Sequence, residues 1–250
     1  MNIESISFKN NKGKNLFGRI YSNEKSGSMG LVFCHGLFSS KDGYKIRKIA
    51  SSIVESGITL MTFDFSFSGE SGSNIEDITI EQEIEDLNSA VIEFKKRGID
   101  SIILAGSSMG GVVVLLYGAK TTIAIDSLIT IATPADLKNL LYNNTSIEEN
   151  DTIAPDGMTS FDKVPLKNAF SIEMTTIDMI TNINKINVPV LILQGEKDTI
   201  VPSYNADIIK KNLSSSHKML MIPQGDHHLS DDRSLSIIEK EITSWCRSRL

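Results

Sequence analysis

Short apolar runs rich in β-branched residues recur along this chain at Leu31 to Cys34, Ile58 to Phe63, Ile102 to Ala105, Leu128 to Ile131, Val190 to Leu193 and Met219 to Ile222. Each is too uniformly apolar for a strand with one wet face and reads as a strand buried on both sides. Between them lie segments of helical period. Ile80, Ile84, Leu87, Val91 and Phe94 mark one such face, with Thr79 and Gln82 placed as an N-terminal capping box. Strands that alternate with helices pair in parallel, because each return to the sheet needs a crossover. The expected fold class is therefore α/β, a mainly parallel, doubly wound sheet flanked by helices. The two leading amphipathic runs, Ile3 to Phe8 and Leu16 to Tyr21, predict an antiparallel hairpin at its edge. A chain of 250 residues with this pattern is expected to form a single domain. One stretch breaks the rhythm: residues 134–183 contain Asn143-Asn144, Pro155-Asp156-Gly157 and Pro165. It is too long for a plain connection and predicts an inserted cap of short helices, with a surface excursion as the alternative.

A net charge of −6 argues against a nucleic-acid partner, since phosphate binding depends on clustered Lys and Arg. No apolar run reaches the ~18 residues of a membrane span, so none is expected. The first ten residues carry Glu4 and Lys9 and lack the basic and apolar regions of a signal peptide. Cys34 and Cys246, far apart in sequence, do not form a disulfide framework, and the expected compartment is the cytoplasm.

The chemistry gathers at three turns. Gly106-Ser107-Ser108-Met109-Gly110 follows one apolar strand and precedes an apolar segment from Gly111 to Ala119. A serine between glycines at a strand-to-helix turn has the form of a nucleophile elbow, which needs a strained backbone and close approach of neighbouring chains. The rival phosphate-loop reading fails because Val112-Val113 stand where that loop needs Lys and Ser or Thr. Cys34-His35-Gly36-Leu37 ends an earlier strand, where a turn brings the Leu37 N–H toward the elbow. The N–H of Met109, at a helix start, is the second candidate donor for an oxyanion. His35 precedes the nucleophile in the chain and is read as a structural histidine. Gln194-Gly195-Glu196-Lys197-Asp198 and Gln224-Gly225-Asp226-His227-His228 follow the last two strands. They bring an acid and a base to the carboxyl edge of the sheet in the order serine, acid, histidine. Serine needs an adjacent base to become a nucleophile, and the base needs a carboxylate to fix its tautomer. A metal reading of the paired histidines with Asp226, Asp231 and Asp232 is set aside, because adjacent histidines point apart in regular structure.

These motifs resemble the α/β-hydrolase superfamily, nearest to its feruloyl-esterase-like, monoacylglycerol-lipase-like and acyl-protein-thioesterase-like members. Besides the elbow and His35-Gly36, the segment from Asp64 to Ser71 is similar to the superfamily's Asp-x-x-Gly-x-Gly-x-Ser loop, with Phe67 standing where such members commonly have glycine. The resemblance implies that Asp198 ends the acid turn, with Glu196 facing solvent. The ending Asp226-His227-His228-Leu229-Ser230 puts the base at His227. The expected activity is hydrolysis of a carboxylic ester through Ser108, His227 and Asp198, with an acyl-enzyme, no cofactor and no metal. A thioester or small amide is the alternative substrate, with Phe161 and Met174 of the cap as candidate contacts to a small acyl substrate. A receptor-like protein that retains the triad to hold a ligand, and an acyltransferase that uses an acceptor other than water, are the rival functions. Acyl length, leaving group and oligomeric state are not written in these motifs.

Overall fold

The computed structural model describes residues 1–72 and 74–249. A sheet of eight strands runs through it in the order β1-β2-β4-β3-β5-β6-β9-β10. The strands are β1 (Asn2–Lys9), β2 (Asn15–Ser22), β3 (Met29–Cys34), β4 (Thr59–Phe63), β5 (Ser101–Ser107), β6 (Ser127–Ile131), β9 (Val190–Gly195) and β10 (His217–Ile222). The predicted hairpin of β1 and β2 is present, and β2 joins β4 in antiparallel register. From β4 to β10 every pairing is parallel. Parallel central strands bury both faces, which is why these runs show no polar alternation.

Two apolar layers result. On one face α1 (Tyr44–Glu55) and α8 (Asp232–Arg247) pack Ile46, Ile49, Ile53, Ile238 and Ile242 against Leu31, Phe33, Ile103 and Ala105. On the other, α2 (Ile80–Lys96), α3 (Met109–Lys120) and α7 (Tyr204–Asn212) cover Val32, Ile102 and Leu104. Each fully buried Leu, Ile or Val contributes ~1.5–3 kcal/mol over leaving it in water. The helix α3 is buried all round, so its sequence is apolar all round, and it runs beneath the other helices rather than at the surface.

The capping box forms only in part. Thr79 accepts from the Gln82 amide at 3.1 Å, but the Gln82 side chain turns to Asp86 Oδ1 at 2.9 Å. The first amides of α2 are taken instead by Glu173, whose oxygens lie 2.5 Å from the Ile80 N and 3.2 Å from the Glu81 N. Glu173 belongs to the segment between β6 and β9. That segment folds as α4 (Leu137–Asn144), a hairpin of β7 (Met158–Phe161) and β8 (Val164–Lys167), α5 (Asn168–Thr176) and α6 (Met179–Asn184). It contains the short helices expected and a two-stranded hairpin that was not. A Lys167–Asp77 ion pair and the Glu173 cap tie it to the body near the start of α2. Because α2 follows β4, that contact lies at the carboxyl edge of the sheet. Among the described residues no helix is long and apolar enough to cross a membrane.

Candidate active site

The centre of the site is a turn with almost no room in it. Ser108 stands between the end of β5 and the start of α3 with φ 53° and ψ −123°. A non-glycine residue held there costs ~1–3 kcal/mol and persists only where its surroundings fix it. Ser108 N donates to Ile131 O at 2.9 Å, and Gly111 N donates to Ser108 O at 2.9 Å. The flanking glycines are required by contact: a Cβ on Gly106 would lie 2.2 Å from Gly110 O, and one on Gly110 would lie 2.3 Å from Cys34 O. Both neighbours are backbone, which cannot swing aside.

The turn after β3, the candidate oxyanion element, lies against this elbow. A Cβ on Gly36 would sit 3.1 Å from Ser107 O and 3.2 Å from Ser108 Cβ, so the backbone entering Leu37 passes beside the serine. Met109 is the first residue of α3, and its N–H is one of the first-turn amides with no acceptor inside the helix. His35 is buried with Nδ1 2.9 Å from Gly36 O, while Nε2 accepts from Phe65 N at 3.3 Å. Burial holds its pKa below the ordinary imidazole value, so it is neutral and braces the loop, in the structural role expected of it. Phe67 does not spoil the Asp64 loop. Asp64 Oδ1 accepts from Lys41 N at 2.6 Å, and Asp64 Oδ2 accepts from Lys41 Nζ and Glu70 N, both at 2.9 Å. Gly69, at φ 49°, leaves the space that its own Cβ would take from Asp64.

Across the carboxyl edge, His227 Nε2 lies 3.1 Å from Ser108 Oγ and His227 Nδ1 lies 2.9 Å from Asp198 Oδ2. The Asp198 side chain is fully buried, and its Oδ1 accepts from Ile200 N at 3.0 Å and Val201 N at 2.8 Å. Gln194 Nε2 adds a fourth bond, to Asp198 Oδ2 at 3.1 Å. Glu196 instead accepts from Gln224 N at 3.2 Å on the exposed surface. The exposed His228 has its ring 5.8 Å from that of His227. The turns after β9 and β10 are pressed together, since a Cβ on Gly195 would meet Gly225 O at 2.5 Å.

Phe161 and Met174 lie in the β6–β9 segment, both buried. Phe170 and Met174 share a face of α5, and Phe161 packs edge-on to Phe170 at 5.8 Å. A cleft of about 260 Å³ lies between residues 135–138 and 174–180; Met174 borders it, together with Asp136, Lys138 and Asp178, and Phe161 does not. Gln194 and Lys45 were not foreseen. Lys45 Nζ donates to Ser107 Oγ at 3.1 Å, one residue from Ser108. Gln194 lies near the end of the otherwise apolar β9, a position where a buried amide is a weak signal; Lys45 sits among other basic residues of α1 and carries no signal at all. Among the described residues no three His, Cys, Asp or Glu side chains converge so as to hold a metal ion.

A mainly parallel sheet with a strained serine at the carboxyl end of a central strand is the architecture of α/β hydrolases. Residues 31–173, which take in the turn after β3 and the elbow, match the alpha/beta hydrolase fold family, and the chain belongs to it. The chain is 25% identical over 242 residues to human mitochondrial palmitoyl-protein thioesterase ABHD10, covering 94% of this chain and 78% of that protein. It is 23% identical over 235 residues to a thermostable monoacylglycerol lipase of Bacillus sp. (strain H-257), covering 89% and 92%. Among solved structures, ferulic-acid-bound Est1E of Butyrivibrio proteoclasticus matches with a TM-score of 0.85 at 21% identity over 98% of both chains, a likeness of fold. Family and relatives together make this chain a hydrolase with esterase and thioesterase kin.

Proposed function

We propose that the protein cleaves a carboxylic ester through an acyl-enzyme on Ser108. The observation that carries this reading is the unbroken line of hydrogen bonds from Asp198 through His227 to Ser108, at 2.9 and 3.1 Å. His227 Nε2 takes the hydroxyl proton as Ser108 Oγ attacks the carbonyl carbon. Asp198 holds the Nδ1–H tautomer and stabilises the imidazolium that forms. The amides of Leu37 and Met109 receive the oxyanion, each such donor contributing ~2.7–4 kcal/mol in the transition state. The imidazolium then returns its proton to the leaving oxygen, and water repeats the sequence to free the acid. The segment 134–183 acts as a cap on this single domain, with Phe161 and Met174 shaping the acyl side of the site. Two buried free thiols, Cys34 and Cys246, suit the reducing cytoplasm. A thioester is the second reading of the substrate, favoured by the relative named as a palmitoyl-protein thioesterase. Both substrates use the same groups.

The test is labelling with a fluorophosphonate followed by peptide mapping, alongside a panel of oxyesters and thioesters graded by acyl length with Ser108→Ala as the blank. The adduct falls on Ser108, and Ser108→Ala stays folded while losing nearly all turnover. An adduct on Ser107, or labelling without any multiple turnover, overturns the proposal; the latter outcome describes a binding protein.

A further inference from the structure

Lys45 lies in the first turn of α1 and sends its ammonium inward to Ser107 Oγ. Ser107 is the last residue of β5, and its carbonyl packs against Gly36. The reaction proposed above makes no use of this cation. The helix α1 packs on α8, β4 and β2. On α8, Glu239 accepts from Ser52 Oγ at 2.5 Å, further along α1, and Asp231 caps its own helix. On β2, Arg19 is paired with Asp42 at 2.6 Å, and β4 carries no titratable side chain. On α1 itself Lys48 lies over the Tyr44 ring at 5.3 Å, while Arg47 is exposed. The charges that act on Lys45 are Asp198 and Asp226, from the acid and base turns, with His227 bonded to the first and adjacent to the second. Burial outweighs their attraction and lowers the Lys45 pKa to about 8.

We propose that Lys45 is a positioning residue for Ser108: its charged form clamps Ser107 and holds the elbow in its strained turn, and loss of the proton loosens that clamp. The inference rests on the triad reading. Ser108 at φ 53° keeps its conformation only while its neighbours over-determine it. An ammonium donating to a hydroxyl makes a charge-assisted bond, roughly twice as strong as a neutral one. An uncharged amine also accepts, which frees the Ser107 hydroxyl to reverse its role.

The rate of fluorophosphonate labelling at Ser108, followed by intact mass between about pH 6 and pH 10, tests this in wild type, Lys45→Met, Lys45→Arg and Ser107→Ala. Thermal melts of each protein check the fold. In wild type the rate falls about three- to ten-fold on the alkaline side, as expected from the weakened bond, with its midpoint at about 8. Lys45→Arg, whose charge does not titrate in this range, keeps the high rate. Lys45→Met and Ser107→Ala react at the lowered rate and show no such fall. An alkaline fall that survives unchanged in Lys45→Met and Ser107→Ala overturns this inference and leaves the triad standing. Absence of label on Ser108 in wild type removes the triad, and this inference with it.

Discussion

Replacing Asp198 by asparagine changes one atom and reverses the chemistry of half its bonds. Asp198 Oδ1 accepts from the Ile200 and Val201 amides, whereas Oδ2 accepts from Gln194 Nε2 and His227 Nδ1. The backbone amides cannot turn, so the asparagine oxygen stays with them and its NH2 faces the other two donors. Gln194 keeps its second acceptor, Val201 O at 3.0 Å, so the stability cost is that of about one unsatisfied contact, ~1–3 kcal/mol. His227 answers by moving its proton to Nε2, leaving Nδ1 to accept from the amide. Nε2 then presents a hydrogen to Ser108 Oγ and cannot take the hydroxyl proton. In the serine-protease triad the same change of tautomer lowers kcat about 10⁴-fold, roughly 5 kcal/mol of transition-state stabilisation. Asp198→Asn should therefore remain folded and nearly inactive. The assay is kcat/KM on a reactive short-chain ester with a thermal melt beside it, and Glu196→Gln, altered only at the surface, should stay within about three-fold of wild type. An Asp198→Asn protein within ten-fold of wild type, or a Glu196→Gln protein more impaired than Asp198→Asn, would refute the reasoning.

His227→Ala abolishes turnover while His228→Ala keeps most of it, because only the first ring reaches both Ser108 and Asp198; steady-state rates with the opposite ranking exchange their roles. Phe161→Ala removes the edge contact with Phe170 and costs ~3–5 kcal/mol of stability. If Phe161 and Met174 also shape the acyl side, Phe161→Ala and Met174→Ala alter kcat/KM as a function of chain length, and a uniform loss across the ester panel assigns them to packing alone. Burial, reinforced by Asp86 and Glu173, raises the Glu83 carboxyl well above the usual range. The folded state thus keeps this proton to higher pH than the unfolded chain, and the contribution of Glu83 to stability falls as pH rises above ~4.3. Glu83→Gln should show the higher urea midpoint at about pH 8, with the gap closing toward about pH 4; a gap independent of pH would sink that account.

The central strands were legible because burial on both faces leaves runs such as Val190 to Leu193 without a polar position. The elbow was legible for a harder reason: Gly106 and Gly110 face carbonyl groups at distances no side chain tolerates. The same is true of the acid and base turns, where Gly195 and Gly225 meet. What the sequence hides is pairing across long distances. Nothing in the sequence marks Lys41 or Lys45, yet one is bonded to Asp64 and the other to Ser107. Gln82 fits a capping box by spacing, but Asp86 offers its amide a buried acceptor and wins it. The hairpin of β7 and β8 has only four residues a strand, so it leaves little period to detect.

Glu173 gives the β6–β9 segment a gauge of its own position. The Ile80 and Glu81 amides begin a helix and have no acceptor within it; their partner is a carboxylate 93 and 92 residues away in sequence. While α5 is docked, both amide hydrogens are held; once it lifts, both meet solvent. Their exchange with deuterium therefore reports how often α5 leaves the body, whereas amides in β5 exchange only when the sheet itself opens. The ratio of the two rates separates excursions of α5 from global unfolding in the resting protein.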